Sequence, residues 1–286
     1  MMSESIRGAG KRRSRSLAAI ALAAGLSTTP IHAAFADEAV VVTRYDVFLN
    51  GLKLGDGGFK ATMDGASYTI KGNSRLTGIA GALLKISAAG HADGRFVGEQ
   101  TSPTGFSATS VSGDRVSTVQ MALQGNNVAT LVAKPEPNMA GKVKITRAHQ
   151  RGVIDPMSAM LTPMSAKGPL DPSNCAQTLP IFNGRERFDV VLSYKRTAPV
   201  DAAVLGGTQT EVLVCQARYR PISGHSAGKK EVEYFANETG IELWLAPAGD
   251  TGMMVPYRIT VPTPIGQGVV QLEALIAKGN TRFAMR

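Results

Sequence analysis

The chain has 286 residues, 43% of them hydrophobic and 19% charged, with 31 Gly, 15 Pro, one Trp, two Cys and a formal net charge of +9. That mixture is too apolar for a disordered chain, and its Gly and Pro follow no period that would suit collagen or a coiled coil. No run of about 18 apolar residues occurs beyond the N-terminus, which argues against a polytopic helical membrane protein.

Taken in chain order, the first 36 residues read as an export signal. Lys11, Arg12, Arg13 and Arg15 supply a basic start, residues 17–26 an apolar stretch, Pro30 a break, and Ala34-Phe35-Ala36 a small-x-small cleavage pattern. The cut is expected after Ala36 and the destination is expected to be the periplasm. The apolar stretch, about ten residues, is too short to remain as a transmembrane anchor. Arg12-Arg13 is followed by Ser14, Arg15 and Ser16 rather than an apolar pair, so the choice between general and twin-arginine export stays open. The segment carries five of the 31 basic residues and one of the 22 acidic ones, leaving 26 against 21, a net of +5. Nucleic-acid binding thereby loses its main support.

From Tyr45 onward strand signals dominate. Asn50-Gly51, Asp64-Gly65, Asn126-Asn127 and Asn183-Gly184 each separate two apolar-alternating runs, and such dipeptides accept the positive φ angles of tight hairpins. Tyr257, Ile259 and Val261 alternate with polar neighbours, and Val270, Leu272, Ala274 and Ile276 are expected to share one buried face. Helix is scarce. A short piece is expected over residues 78–85. The best candidate runs from Asp155 to about Met164, with Asp155 as N-cap and Pro156 at the first position. Met157, Met160, Leu161 and Met164 then fall on one face. The fold class is mainly β: a long curved antiparallel sheet, an open barrel or spiral, wrapping one short apolar helix in a single domain over residues 37–286.

Cys175 and Cys215 are expected to pair, since two cysteines in an exported chain meet an oxidising compartment. The residues 224–228, Gly-His-Ser-Ala-Gly, match the nucleophile-elbow pattern, yet no His follows His225 to complete the triad order, and Lys229 to Phe235 read as a further strand. His91, His149 and His225 lie far apart in sequence and none has a second ligand at metal spacing, so neither metal nor other cofactor is expected. Lys142, Lys144, Arg147 and Arg151 form a basic run that suits a solvated face or an anionic polymer. The methionine stripe has two readings, core filler or an apolar groove lined by Met157, Met160, Leu161 and Met164.

Several segments together resemble a family of exported Gram-negative proteins classified only as a domain of unknown function. They are Tyr45-Asp46-Val47 with Gly51-Leu52-Lys53-Leu54-Gly55, Asp155-Pro156-Met157-Ser158-Ala159, Asn183-Gly184-Arg185-Glu186-Arg187-Phe188-Asp189, and the surroundings of Cys175 and Cys215. The resemblance spans roughly residues 40 to 277. It implies a periplasmic, β-dominated fold akin to the LolA and LolB lipoprotein carriers and to envelope-integrity proteins, and it brings no catalytic residues. The function expected is non-enzymatic support of the cell envelope, through an apolar ligand groove or a protein partner. An envelope hydrolase with an unrecognised carboxylate pair, or with Ser226, is the alternative.

Overall fold

Residues that alternate apolar and polar side chains, broken every ten or so positions by Gly, Asn or Asp, bury one face by pairing into a sheet that curls on itself or packs on a second sheet, and here the sheet curls. The computed structural model, which describes residues 38–207 and 209–279, has this form. Seven strands, β1 (Ala39–Leu49), β2 (Leu52–Asp64), β3 (Ser67–Leu76), β4 (Ile86–Val97), β5 (Gln100–Ser112), β6 (Arg115–Gln124) and β7 (Asn127–Lys134), form an antiparallel meander, with helix α1 (Gly78–Leu84) between β3 and β4. A long connection over residues 135–177 contains the two-residue strand β8 (Thr162–Pro163). A second meander follows: β9 (Thr178–Phe182), β10 (Arg187–Pro199), β11 (Glu211–Ser223), β12 (Glu242–Pro247), β13 (Met253–Thr263) and β14 (Gly266–Lys278), with helix α2 (Lys230–Asn237) between β11 and β12. β14 pairs with β1, so the two meanders form one open strip that runs from β7 to β9, with β8 added at β13.

The turns follow the residues that predicted them, with small shifts. Asn50 and Gly51 take φ of 50° and 79°, the pair of positive angles a two-residue hairpin needs. In the next hairpin Asp64 stays in β2 and Gly65 with Ala66 makes the turn, while after β6 it is Gly125 and Asn126 that turn. The Asn183 carboxamide oxygen accepts from Arg185 N at 2.9 Å and Glu186 N at 2.7 Å, fixing the β9–β10 turn.

Three expectations need correction. The helix from Asp155 to Met164 is only a 3-10 turn over Ser158–Met160. Leu161 swings into the extended region and Thr162–Pro163 pairs with Met253 and Met254 of β13, so a strand bridge takes over where a second helical turn would lie. Lys229 to Phe235, read as a strand, is helical from Lys230. Val232 and Glu233 both donate to Lys229 O, and Val232 and Phe235, three apart, turn toward the sheet interior. Finally, a bulge opposite Arg44 and Tyr45 adds one residue, Glu273, to β14. The inward face therefore changes phase. Val270 and Leu272 lie inside with Leu275 and Ala277, while Ile276 faces solvent.

Cys175 and Cys215 are bonded, both fully buried, with Cα atoms 5.4 Å apart. The bond ties the end of the long connection to the middle of β11 and closes a loop of sequence separation 40. Replacing either cysteine by Ser is expected to lower the unfolding free energy by about 2–4 kcal/mol. Urea titrations of wild type and variants check this, and superimposable curves would show that the crosslink constrains nothing the fold does not already hold.

Candidate functional site

The site grows out of a row of directly paired residues that crosses the first meander. Reading from β1 to β6, it runs Thr43, Phe59, Gly72, Gly90, Ala108 and Val119. The bulky side chains stand at its ends and the centre has none, so the inner face of β3 and β4 carries a trough. Met157, from the long connection, drops into it. A Cβ on Gly72 would stand 2.8 Å from Met157 Cε, and one on Gly90 would stand 3.0 Å from Met157 Sδ. The methionine fills only part of the trough. A cavity of about 560 Å³ remains, lined by Phe59, Ala88, Ala108, Val119, Met157 and Met160, with Ser110, Ser117, Asn183 and Arg185 along its edge.

A second cavity of about 520 Å³ lies inside the other meander. Val190, Tyr219, Leu243, Ile259 and Met160 line it, and Phe235 of α2 covers it together with Val232. Its walls are almost wholly apolar, and Leu179, Val190, Ile241 and Ile259 are only half-buried. Pro156 and Met160 belong to both cavities, so the turn over Ser158–Met160 sits as a divider between them. A third, more polar hollow of about 670 Å³ lies alongside the connection, bordered by Gln100, Asn126, Ser165 and Asn174.

One buried carboxylate holds the divider in place. Asp155, with no exposed surface, accepts from Met157 N at 2.8 Å, Ser158 N at 3.0 Å and Ser158 Oγ at 2.5 Å, and Ser158 Oγ in turn meets Tyr68 Oη at 2.7 Å. Burial pushes the Asp155 carboxyl above its ordinary value, against the opposing pull of the Ser158 hydroxyl and of the backbone N–H groups. Tyr68 is pushed up as well, first by burial. The structure thus divides the predicted methionine stripe. Met157 and Met160 reach the cavities, Leu161 is sealed in the main core, and Met164 packs near the disulfide cluster while its N–H bonds Gly252 O.

The other sequence candidates stay apart. Residues 224–228 do sit between a strand and a helix, as the elbow pattern requires, since α2 follows them. Their backbone, however, pairs with residues 141–143: Gly224 N donates to Val143 O at 2.8 Å, Val143 N to His225 O at 2.9 Å, and Ala227 N to Gly141 O at 2.9 Å. Lys142 therefore belongs to this bridge, and Arg147 to a 3-10 turn in which His149 Nδ1 accepts from Thr146 N. His91 pairs with Asp93 at 2.7 Å on the outward row of β4. Among the described residues no group of three His, Cys, Asp or Glu side chains could hold a metal ion. Sequence reasoning missed the Gly72–Gly90–Ala108 centre. The signal available was glycine inside strand patterns, which marks close approach by another group.

Because an amide can accept both N–H bonds through its oxygen and donate to Ser158 Oγ, Asp155→Asn is expected to keep the divider, whereas Asp155→Ala is expected to cost about 2–4 kcal/mol through orphaned donors. The folded carboxyl has a raised pKa, so the wild type loses stability as pH rises from the unfolded value toward the folded one. The Asn variant should therefore gain on the wild type as pH rises above the ordinary carboxyl value. Thermal melts of the three proteins over a pH series check both statements. An Asn variant as damaged as the Ala variant would refute the hydrogen-bond account.

No curated protein matches the chain. A solved structure with detectable similarity is the crystal structure of a beta-barrel-like protein of domain of unknown function DUF1849 from Brucella abortus. It is 9% identical, covers 84% of this chain and 98% of its own, and has a TM-score of 0.45. Residues 44–273 match the family described as Protein of unknown function (DUF3108). They include all four hairpin dipeptides, the divider and both cysteines, and by that match the chain belongs to the DUF3108 family.

Proposed function

We propose that the protein is a non-enzymatic component of the cell envelope that binds a slender apolar molecule, such as a single acyl chain, in the cavities on either side of Met160. The observation that carries this reading is the pair of apolar hollows inside the curved sheet. Their volumes, about 560 Å³ and 520 Å³, lie inside the ~300–1,000 Å³ range of small-molecule sites. A fold that needed only stability would fill them, since unfilled apolar volume costs packing energy. Here Gly72 and Gly90 admit Met157, and the space beside it stays open. The edge of that cavity carries Ser110, Ser117, Asn183 and Arg185, groups able to face the polar end of an amphiphile. The basic and apolar pattern of the first 36 residues supports delivery across the inner membrane.

The reading is tested with an environment-sensitive naphthalene probe. Probe fluorescence should rise on the folded protein, fall when a long-chain fatty acid competes, and weaken about tenfold in Met160→Trp, whose indole would occupy space shared by both cavities. Folded wild type that leaves the probe dark would sink the proposal. Turnover of esters or glycans that disappears in Ser226→Ala would overturn the non-enzymatic part. Export is checked separately: intact-mass measurement of protein from the periplasmic fraction should give a chain that begins at Asp37.

A further inference from the structure

The strand directions place one set of connections at the same end of the strip: the 50–51 turn, α1, the 113–114 turn and the 264–265 turn. These four form a hydrogen-bonded row. Asn50 joins the first and the last, its N donating to Gln267 O at 2.9 Å, its Nδ2 to Ile265 O at 2.9 Å, and its Oδ1 accepting from Gln267 N at 2.8 Å. Thr77 N donates to Leu54 O at 2.8 Å where α1 begins. Gly113 N donates to Lys85 O at 3.3 Å where it ends.

Large aliphatic side chains in or beside these connections are exposed to solvent: Ile265 by 73%, Leu52 by 68%, Val116 by 55%, Leu84 by 54% and Ile86 by 41%. Isolated exposed aliphatics are ordinary, but five on one hydrogen-bonded rim are not. Lys53, Lys85 and Arg115 flank these connections and Asp114 lies within one, with Lys53 bonded to Asp46 on β1. Ile86 also lies on the inward row of β4, two residues before Ala88, which lines the glycine-floored cavity. The rim therefore lies beside the Ala88 end of that cavity.

From this juxtaposition we infer that the rim docks on an anionic lipid bilayer, its aliphatic tips entering the headgroup layer while Lys85 and Arg115 meet lipid phosphates. The tips are single knobs separated by polar backbone rather than one flat face. A bilayer accommodates such knobs because headgroups and water fill the spaces between them, and basic neighbours strengthen the contact with anionic lipid. A rigid protein partner would have to match each knob with its own pocket. Docking gives the cavity direct access to acyl chains. It rests on the cargo reading for its purpose and on the rim alone for its geometry.

The test uses the chain from Asp37 onward, which lies within the compact unit Ala36–Arg286. The protein is floated with vesicles of phosphatidylethanolamine and phosphatidylglycerol, and separately with phosphatidylcholine vesicles. The expected result is flotation with the anionic vesicles, reduced by high salt, and about a tenfold smaller bound fraction for the double variant Leu52→Asp with Ile265→Asp. Both positions are exposed, so its melting temperature and its solution binding of the naphthalene probe should stay at the wild-type level. A second variant, Lys85→Glu with Arg115→Glu, should weaken flotation through charge alone. Wild type that stays at the bottom of the gradient, or rim variants that float as wild type does, would overturn the inference. Intact flotation together with absent probe binding would uphold docking and remove the cargo reading instead.

Discussion

A strip of sheet that does not close leaves two rows of backbone groups to be satisfied, and here β7 and β9 never pair with each other. The long connection resolves the problem with its own backbone. Ile154 N donates to Pro180 O at 2.9 Å, and Phe182 N donates to Ile154 O at 2.9 Å, so β9 acquires a partner along its outer side. One residue earlier, Val153 N donates to Asn126 O at 2.7 Å in the β6–β7 turn. From the other direction Arg185 reaches Lys134 O and Pro135 O, each at 3.0 Å. Gly184 beside it approaches β6 so closely that a Cβ there would stand 2.4 Å from Val119 Cγ1. The barrel-like enclosure is therefore made by a crossing segment and one hairpin tip, without a continuous ladder.

Once the chain must cross the interior, it has to bring buried polar backbone with it. The Asp155–Ser158–Tyr68 hydrogen bonds satisfy that backbone at the deepest point, and the apolar side chains around them then decide how much space remains. Met157 is accommodated because Gly72 and Gly90 lack side chains. Met160 divides the remaining volume because the 3-10 turn aims it between the meanders. Two cavities with one shared wall follow from a single short turn. Outside the enclosure, the covering residues form a different kind of contact: Trp244 lies between the guanidinium groups of Arg196 and Arg258, and Glu242 bonds both Arg196 and the indole N–H. That cluster holds the Glu242 carboxyl down at about 2 and ties β10 to β12 across β11.

Much of this was legible in the residues alone, because hairpins, alternation and paired cysteines are local or compositional signals. Asn50-Gly51 announces its turn from two positions, and Cys175 and Cys215 need only each other. Where reading failed, the deciding partner lay far away in sequence. The stretch after Pro156 has good helical spacing, but β13 offers Thr162–Pro163 a strand bridge that local pattern does not register. Lys230–Asn237 alternates well enough for a strand. It becomes a helix because an open apolar cavity waits beneath Val232 and Phe235. The phase change in β14 depends on a bulge whose opposite residues are about 230 positions earlier in the sequence. The small-residue centre needs two strand registers at once, β3 with β4 and β4 with β5, before Gly72, Gly90 and Ala108 become neighbours.

The pairing of β1 with β14 sets the order in which the molecule can be completed. Val40 lies opposite Lys278 and Leu49 opposite Gly268, so the middle of the strip is joined by its first and last strands. Until β14 emerges from the ribosome, the meander that begins at β1 shows an unpaired edge and a one-sided apolar face that includes Val41 and Tyr45. Such long-separation closure gives high contact order and slow folding. It also means that a chain truncated before Gly266 would leave each meander with a bare edge in place of the joint that makes them one strip.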